Sequence, residues 1–320
     1  MKKRILGKTD INVSEISFGT VSLGVPYGIG VTVESDMPSE ADSIKLLNDA
    51  LDNGINFFDT ALTYGKSEEI IGKAFEGRRS ESVICSKPAH LYDIYANQKL
   101  PSGKEILEKL DNSVQQSLSK LKTDYIDVYM SHDGTEEVIE NETVIDFYQK
   151  LKKKGIIRAT GVSVYTVEES IKAINSGVWD VIQLAFNLMD QRQLPAIELA
   201  RQKGVGIVVR SVLFKGILTG KGDNLHAQLK PVQDHRQKYY SLLSDNAKTL
   251  SDLATKFVLS CNGVSSVLVG IDKPDYLSQA LAVADGKYLN TELFEKAKSL
   301  AYPDPEFLNL PLWDRKGWLK

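Results

Sequence analysis

The sequence predicts a (β/α)8, or TIM, barrel, and three observations predict it. Eight short apolar runs alternate with longer amphipathic stretches between residues 16 and 270. The runs mostly lack two-residue alternation, as strands do when both faces are buried in a parallel sheet covered by helices. No Pro-, Gly- or Ser-rich linker divides the chain, so residues 1–320 are expected to form one domain. An open, doubly wound sheet is the competing arrangement. It is weakened because no Gly-x-Gly-x-x-Gly follows the first run.

The strand candidates are residues 16–21, 55–60, 83–87, 126–132, 159–164, 181–185, 206–211 and 266–270. Ahead of them, residues 3–13 carry turn formers at 7–10 and are expected to make a hairpin that closes the barrel bottom. Residues 24–39 form a long polar loop after the first strand, on the side where barrel loops serve an active site. Ser39 with Asp42 opens a helix whose Ile44, Leu47 and Leu51 share a face, and Gly54 stops it. Ser102 with Glu105 opens the next, carrying Ile106, Leu110, Val114 and Leu118 at helical spacing. Val144, Tyr148 and Leu151 repeat the pattern and run into Lys152-Lys153-Lys154-Gly155. Lysines are favoured at a helix C-terminus before a capping glycine, so this run is not read as a nucleic-acid patch. The segment Gly216-Ile217-Leu218-Thr219-Gly220-Lys221 superficially suggests a phosphate loop. It is one residue short and lacks Ser or Thr after the lysine.

Composition narrows the function classes. Hydrophobic residues make up 42% and charged residues 25%, which excludes a disordered chain. Lys+Arg 39 against Asp+Glu 42 gives a net charge of −3, so no global basic field recruits nucleic acid or an anionic membrane. No apolar run reaches the roughly 18–20 residues of a membrane helix. Lys2-Lys3-Arg4 has no apolar stretch behind it and is not read as a secretory signal. Cys85 and Cys261 are too few for a disulfide framework or a cysteine metal site. The expectation is a soluble, cytoplasmic protein.

Reactive groups of such a barrel lie at the C-terminal ends of its strands. That rule selects Asp59, closing the second run, Tyr64 in the loop after it, Lys87 closing the third and His132 closing the fourth. Singly, each has an ordinary explanation: a strand-end Asp caps the next helix, a lone Lys is solvated, a lone His is structural. Converging on one rim, they make an acid/base site for a carbonyl oxygen. A phenol has a pKa of about 10, and a neighbouring ammonium is expected to lower it. A carboxylate keeps that ammonium charged and oriented, and the imidazole holds the oxygen or relays a proton. No metal site is expected, since His132 has no Cys, His or Glu at ligand spacing. No Gly-x-Ser-x-Gly elbow is present to suggest acyl transfer.

The same residues carry a resemblance. Gly54-Ile55-Asn56-Phe57-Phe58-Asp59-Thr60-Ala61-Leu62-Thr63-Tyr64-Gly65-Lys66-Ser67-Glu68 is similar to the signature of the aldo-keto reductases. The likeness continues through Ile84-Cys85-Ser86-Lys87, Asp124-Tyr125-Ile126-Asp127-Val128-Tyr129-Met130-Ser131-His132, Gly161-Val162-Ser163, Ile182-Gln183 and residues 216–221. It implies a (β/α)8 barrel that interconverts carbonyls and alcohols with a nicotinamide cofactor. It also implies that Asp59, Tyr64, Lys87 and His132 are the catalytic four.

The resemblance further implies a cofactor path. Ser163 and Gln183 match positions that bind the nicotinamide carboxamide, although Val164 stands where relatives often have Asn. Ser211, Leu213 and Lys215 match the loop that wraps the pyrophosphate, with Arg210 an unusual charge at that strand end, expected to contact phosphate or ribose. Gly19, Thr20 and Asp59 complete the set near the reacting end. Gly270, Ile271, Asp272, Tyr276 and Gln279 occupy the region that grips the adenosine ribose, where NADP-dependent relatives often carry Lys or Ser and Arg. A carboxylate repels a 2′-phosphate and accepts from ribose hydroxyls. NAD(H) is therefore expected over NADP(H), with Lys273 the residue that could reverse the preference, and with Asp272 as a helix cap the rival reading.

The expected substrate is a small carbonyl compound or a polyol, sugar-like through the aromatic rim of Tyr27, His90, Tyr92, Tyr95 and Trp313 or Trp318. The tail tryptophans could equally pin the tail to the barrel. Two rivals stand: a lyase or aldolase using Lys87 as a Schiff base, and a cofactor-sensing binding subunit with little turnover.

Overall fold

Each of the eight apolar runs becomes one stave of a closed barrel. The structure, a computed structural model, describes residues 1–93, 96 and 98–319. Two strands precede the barrel, β1 (Lys3–Ile5) and β2 (Asn12–Ser14). The barrel strands are β3 (Ile16–Gly19), β4 (Phe57–Asp59), β5 (Val83–Ser86), β6 (Ile126–Ser131), β7 (Ile157–Ser163), β8 (Val181–Ala185), β9 (Gly206–Arg210) and β10 (Val264–Gly270). They pair in parallel in chain order, and β10 closes the ring on β3. Six strands stop one or two residues short of the apolar runs. Val21, Thr60, Lys87, His132, Val164 and Ser211 thus lie beyond the ladder, on the C-terminal rim.

The expected hairpin is present. β1 and β2 pair antiparallel with Lys3 opposite Ser14. Leu6, Ile11 and Val13 pack with Phe57, Val83, Cys85, Val128, Met130, Ala159, Val181 and Val208, so the hairpin plugs the barrel interior from below. Gly7 makes the close fit possible. Its φ is +62°, and a Cβ there would come within 2.4 Å of the Gly206 nitrogen.

The outer helices follow their sequence signals. Ser39 caps Glu40–Asp52 by accepting from the Asp42 N–H. Ser102 and Glu105 form a reciprocal capping box on Gly103–Leu121. Glu142–Lys153 ends in its lysines, with Gly155 following at φ +72°. In the first of these helices Leu46, Leu47, Ala50 and Leu51 are buried while Ile44 is only partly so, a face shifted slightly from the one expected. Among the described residues no helix is long and apolar enough to cross a membrane.

The rim after β9 carries backbone strain. Ser211, Phe214 and Lys215 have φ of +59°, +50° and +56°. Non-glycine residues enter that region at a cost and cluster at ligand sites.

Candidate active site

Asp59 ends β4, and its Oδ1 accepts two hydrogen bonds, from Lys87 Nζ at 2.7 Å and from Gln183 Nε2 at 2.7 Å. Lys87, the first residue beyond β5, also donates to the Thr60 carbonyl at 3.0 Å. It is fully buried and sits beneath the pocket rather than in its lining. Its Nζ lies 5.5 Å from the centre of the Tyr64 ring.

Tyr64 closes a tight turn, its N–H donating to Ala61 at 2.9 Å. Gly65 lets that turn dock. Its φ is +54°, and a Cβ there would fall 2.1 Å from the Gly24 carbonyl oxygen. The Tyr64 ring meets His132 edge-on at 6.0 Å. His132 in turn stacks on His90 at 4.1 Å, with 22° between the planes. His90 Nδ1 donates to Asp133 Oδ1 at 2.6 Å, and the Leu91 N–H donates to Oδ2 at 2.7 Å.

These contacts set the proton-holding states. Burial pushes the Tyr64 phenol up to about 12; Lys87 pulls against it and Asp59 adds to it. The expectation of a net lowering is therefore corrected: the ammonium acts in the expected direction, but desolvation is larger. For Lys87, burial is the largest single effect and opposes the ammonium, yet Asp59, Tyr64 and Cys85 together outweigh it and the pKa lies above its ordinary value. Burial, then the charges of His90 and Lys87, drive His132 well below its ordinary range. It is neutral at physiological pH. Its Nδ1 lies 3.3 Å from the Pro88 carbonyl, which can only accept, so Nδ1 carries the proton and Nε2 keeps its lone pair. Asp133 holds His90 above its ordinary value, against a smaller opposing effect of burial.

A cavity of about 480 Å³ opens over this cluster. Asp59, Tyr64, His132, Ser163 and Gln183 line its reacting end. It runs past Gly19, Thr20, Arg210, Ser211, Leu213 and Lys215 to Gly270, Asp272, Tyr276 and Gln279. Thirteen of the fourteen residues expected from resemblance along the cofactor path thus line one cavity; Ile271 is fully buried and stands outside the lining.

The donor set fits a dinucleotide. With Nε2 tied to Asp59, Gln183 keeps its carbonyl oxygen for a carboxamide N–H. Ser22 lines the cavity, and its Oγ is buried with no protein hydrogen-bond partner. The helix Pro274–Val283 has Lys273 at its N-cap position and no side chain capping it, so Asp272 lines the pocket and is not a helix cap.

The aromatic rim is less uniform. Tyr27 lines the cavity, 5.1 Å from Lys215 Nζ. Tyr92 is buried, its hydroxyl 2.7 Å from Thr135 Oγ1, and it is not in the lining. Trp313 is buried behind the wall, edge-on to Phe214 at 5.6 Å; this tryptophan pins the tail. Trp318 stacks on His226 at 5.9 Å. Tyr95 lies outside the described residues. Residues not expected from sequence take their places: Ser22, Tyr165, Thr255, and Leu310, Pro311 and Asp314 of the tail. Tyr165 follows the end of β7 and was open to the strand-end rule. Asp314, bonded to Lys215 at 2.7 Å, carries no local signal.

Comparison with known proteins agrees with this architecture. The model of the "Aldo/keto reductase family" matches residues 15–301. The chain is 28% identical to L-galactose dehydrogenase of Arabidopsis thaliana, over 87% of this chain and 86% of that protein. It is 26% identical to the NADH-specific methylglyoxal reductase of Escherichia coli (strain K12), over 88% and 93%. The solved holo form of aldo-keto reductase AKR11C1 from Bacillus halodurans superposes with a TM-score of 0.77 at 26% identity, covering 95% of this chain and 99% of that one. A family match from the first barrel strand to beyond the last leaves no segment of the barrel unaccounted for, and the chain belongs to the aldo/keto reductase family, oxidoreductases that act on carbonyls with nicotinamide cofactors.

Proposed function

We propose that this protein interconverts a small carbonyl compound and its alcohol, with Tyr64 holding and moving the proton, NADH preferred to NADPH, and a polyhydroxylated, sugar-like substrate. One observation carries the reading: Asp59, Tyr64 and His132 line one end of a cavity whose other end is lined by Asp272, Tyr276 and Gln279. Bound nicotinamide would supply or accept the hydride. Ser163 and the Gln183 carbonyl would hold its carboxamide, and Asp59 would orient Gln183 and Lys87.

A phenol pushed up to about 12 is protonated at neutral pH, so Tyr64 stands loaded as the acid for reduction. The neutral His132 presents the Nε2 lone pair, which accepts from the hydroxyl formed on the substrate. Asp272 supports NADH by its charge, and the similarity to the NADH-specific methylglyoxal reductase of E. coli supports the same preference. Tyr27 and Tyr165 on the rim, and the name of the Arabidopsis relative, support a sugar-like substrate. The buried, free thiols Cys85 and Cys261 fit a reducing, cytoplasmic setting.

The test is a steady-state assay with NADH and a panel of aldehydes and sugars, on the wild type and on Tyr64→Phe. The variant keeps the ring and loses the hydroxyl. The expected outcome is a fall in kcat of ~10²–10⁴ with the NADH dissociation constant retained. Near-full kcat in the variant overturns the role of Tyr64. Tight NADH binding without turnover of any panel member favours a cofactor-sensing subunit instead.

A further inference from the structure

The chain has nine arginines, and eight of them reach a carboxylate: Arg4, Arg78, Arg79, Arg158, Arg192, Arg201, Arg236 and Arg315. Arg210 is the exception; among the described residues no carboxylate pairs with it. It is also the arginine that lines the active-site cavity.

Arg210 ends β9, opposite Ala185 of β8. One Nη2–H donates to the Val164 carbonyl at 2.8 Å, and the guanidinium lies 4.6 Å from the centre of the Tyr165 ring. These contacts fix the plane of the group without neutralising it. A guanidinium has five N–H donors in a fork matched to a carboxylate or a phosphate. Only one is spent here. A half-buried cation without a counter-charge is costly, so such a group in a cavity is a site for an anion.

The charge stands at the reacting end. Burial raises Tyr64 and Tyr27 and lowers His132; against that background Arg210 pulls both phenols down and pushes the imidazole further down. The neighbouring cation on the same loop, Lys215, is already neutralised by Asp314 at 2.7 Å.

We infer that Arg210 reads an anionic group on the substrate, so that the favoured carbonyl compound carries a carboxylate or a phosphate close to the reacting carbon. The inference rests on the carbonyl oxidoreductase reading above and narrows its substrate class. The guanidinium binds the anion through its free N–H groups, Tyr165 holds its plane, and the anchored substrate turns its carbonyl toward Tyr64.

The test compares kcat/KM with NADH for two pairs, butanal against succinic semialdehyde and glyceraldehyde against glyceraldehyde 3-phosphate. It uses the wild type, Arg210→Gln and Arg210→Lys, with NADH affinity measured separately by fluorescence. The expected wild-type preference for at least one anionic member is about tenfold or more, the scale of a charge-assisted hydrogen bond. The first pair tests a carboxylate and the second a phosphate. In Arg210→Gln that preference collapses, mainly through KM, while Arg210→Lys keeps part of it. Turnover of both members of each pair at similar kcat/KM overturns this inference alone. Loss of NADH affinity in Arg210→Gln with an unchanged anionic-to-neutral ratio also overturns it, and assigns the guanidinium to the cofactor pyrophosphate. Turnover of none of the four overturns both this inference and the reading it rests on.

Discussion

Asp59 Oδ1 is shared between an ammonium and an amide, and that sharing decides how the neighbouring groups are held. The carboxylate sustains Lys87 as a fully buried cation. Lys87 in turn restrains the Tyr64 phenol, which burial alone would push higher still. Lys87→Met removes that restraint, so the phenol is expected to rise above about 12 and to become a weaker acid. Oxidation needs the phenolate, and its rate rises with pH toward the phenol pKa. In Lys87→Met the oxidation profile is therefore displaced to higher pH, and at pH 9 its rate falls about tenfold for each unit of displacement. Asp59→Asn is expected to produce a smaller defect of the same kind, and to destabilise the fold by about 3–5 kcal/mol because it strands a buried charge. Unaltered pH–rate profiles in both variants, measured at the NADH absorbance band, would show that the pair is only structural.

At the scale of elements, two connections shape the cavity away from the Asp59–Tyr64 cluster. The loop after β9 is strained at Ser211, Phe214 and Lys215, and the tail clamps it through Asp314 on Lys215 and Trp313 on Phe214. The connection after β10 brings Asp272 into the cavity while Lys273 occupies the helix N-cap position and stays out of the lining. A second negative charge near Asp272 is repelled; two unit charges at 4 Å in an effective dielectric of ~20 interact by ~4 kcal/mol before screening. About 1.4 kcal/mol of this already gives tenfold discrimination. Asp272→Ser is expected to tighten NADPH binding about tenfold and to leave NADH within about threefold, as read from dissociation constants. Tenfold tighter NADPH binding by the unaltered protein would contradict the charge argument.

Over the whole molecule, the two ends of the barrel carry separate tasks. The hairpin fills the lower end with Leu6, Ile11 and Val13, and Asp59, Tyr64 and His132 line the cavity at the upper rim. Leu6 is fully buried in that plug. Leu6→Ala is expected to cost about 2–5 kcal/mol, the usual range for a buried leucine truncated in a close-packed core. A lowered urea midpoint with unchanged kcat/KM is the expected result. Loss of activity in the fully folded variant would show that the two ends are coupled.

The eight staves, the capped helices, the closing hairpin and the convergence of Asp59, Tyr64, Lys87 and His132 on one rim were all legible in the amino-acid order. Strand burial, helix caps and strand-end polarity are local patterns, written within a few residues of where they act. Other features belong to tertiary structure alone. Desolvation of Tyr64 depends on everything packed around the ring, so its net shift reverses the expectation drawn from Lys87 alone. The stack of His90 on His132, the Gln183 bond to Asp59 across 124 residues, and Asp314 on Lys215 join segments with no periodic relation to one another. Trp313 and Tyr92 read as rim aromatics by position, yet packing buries both away from the cavity. Local order thus determined which elements form and which side chains reach the rim. Closure of the barrel decided which of them meet, because contact between distant segments depends on where the whole chain brings them.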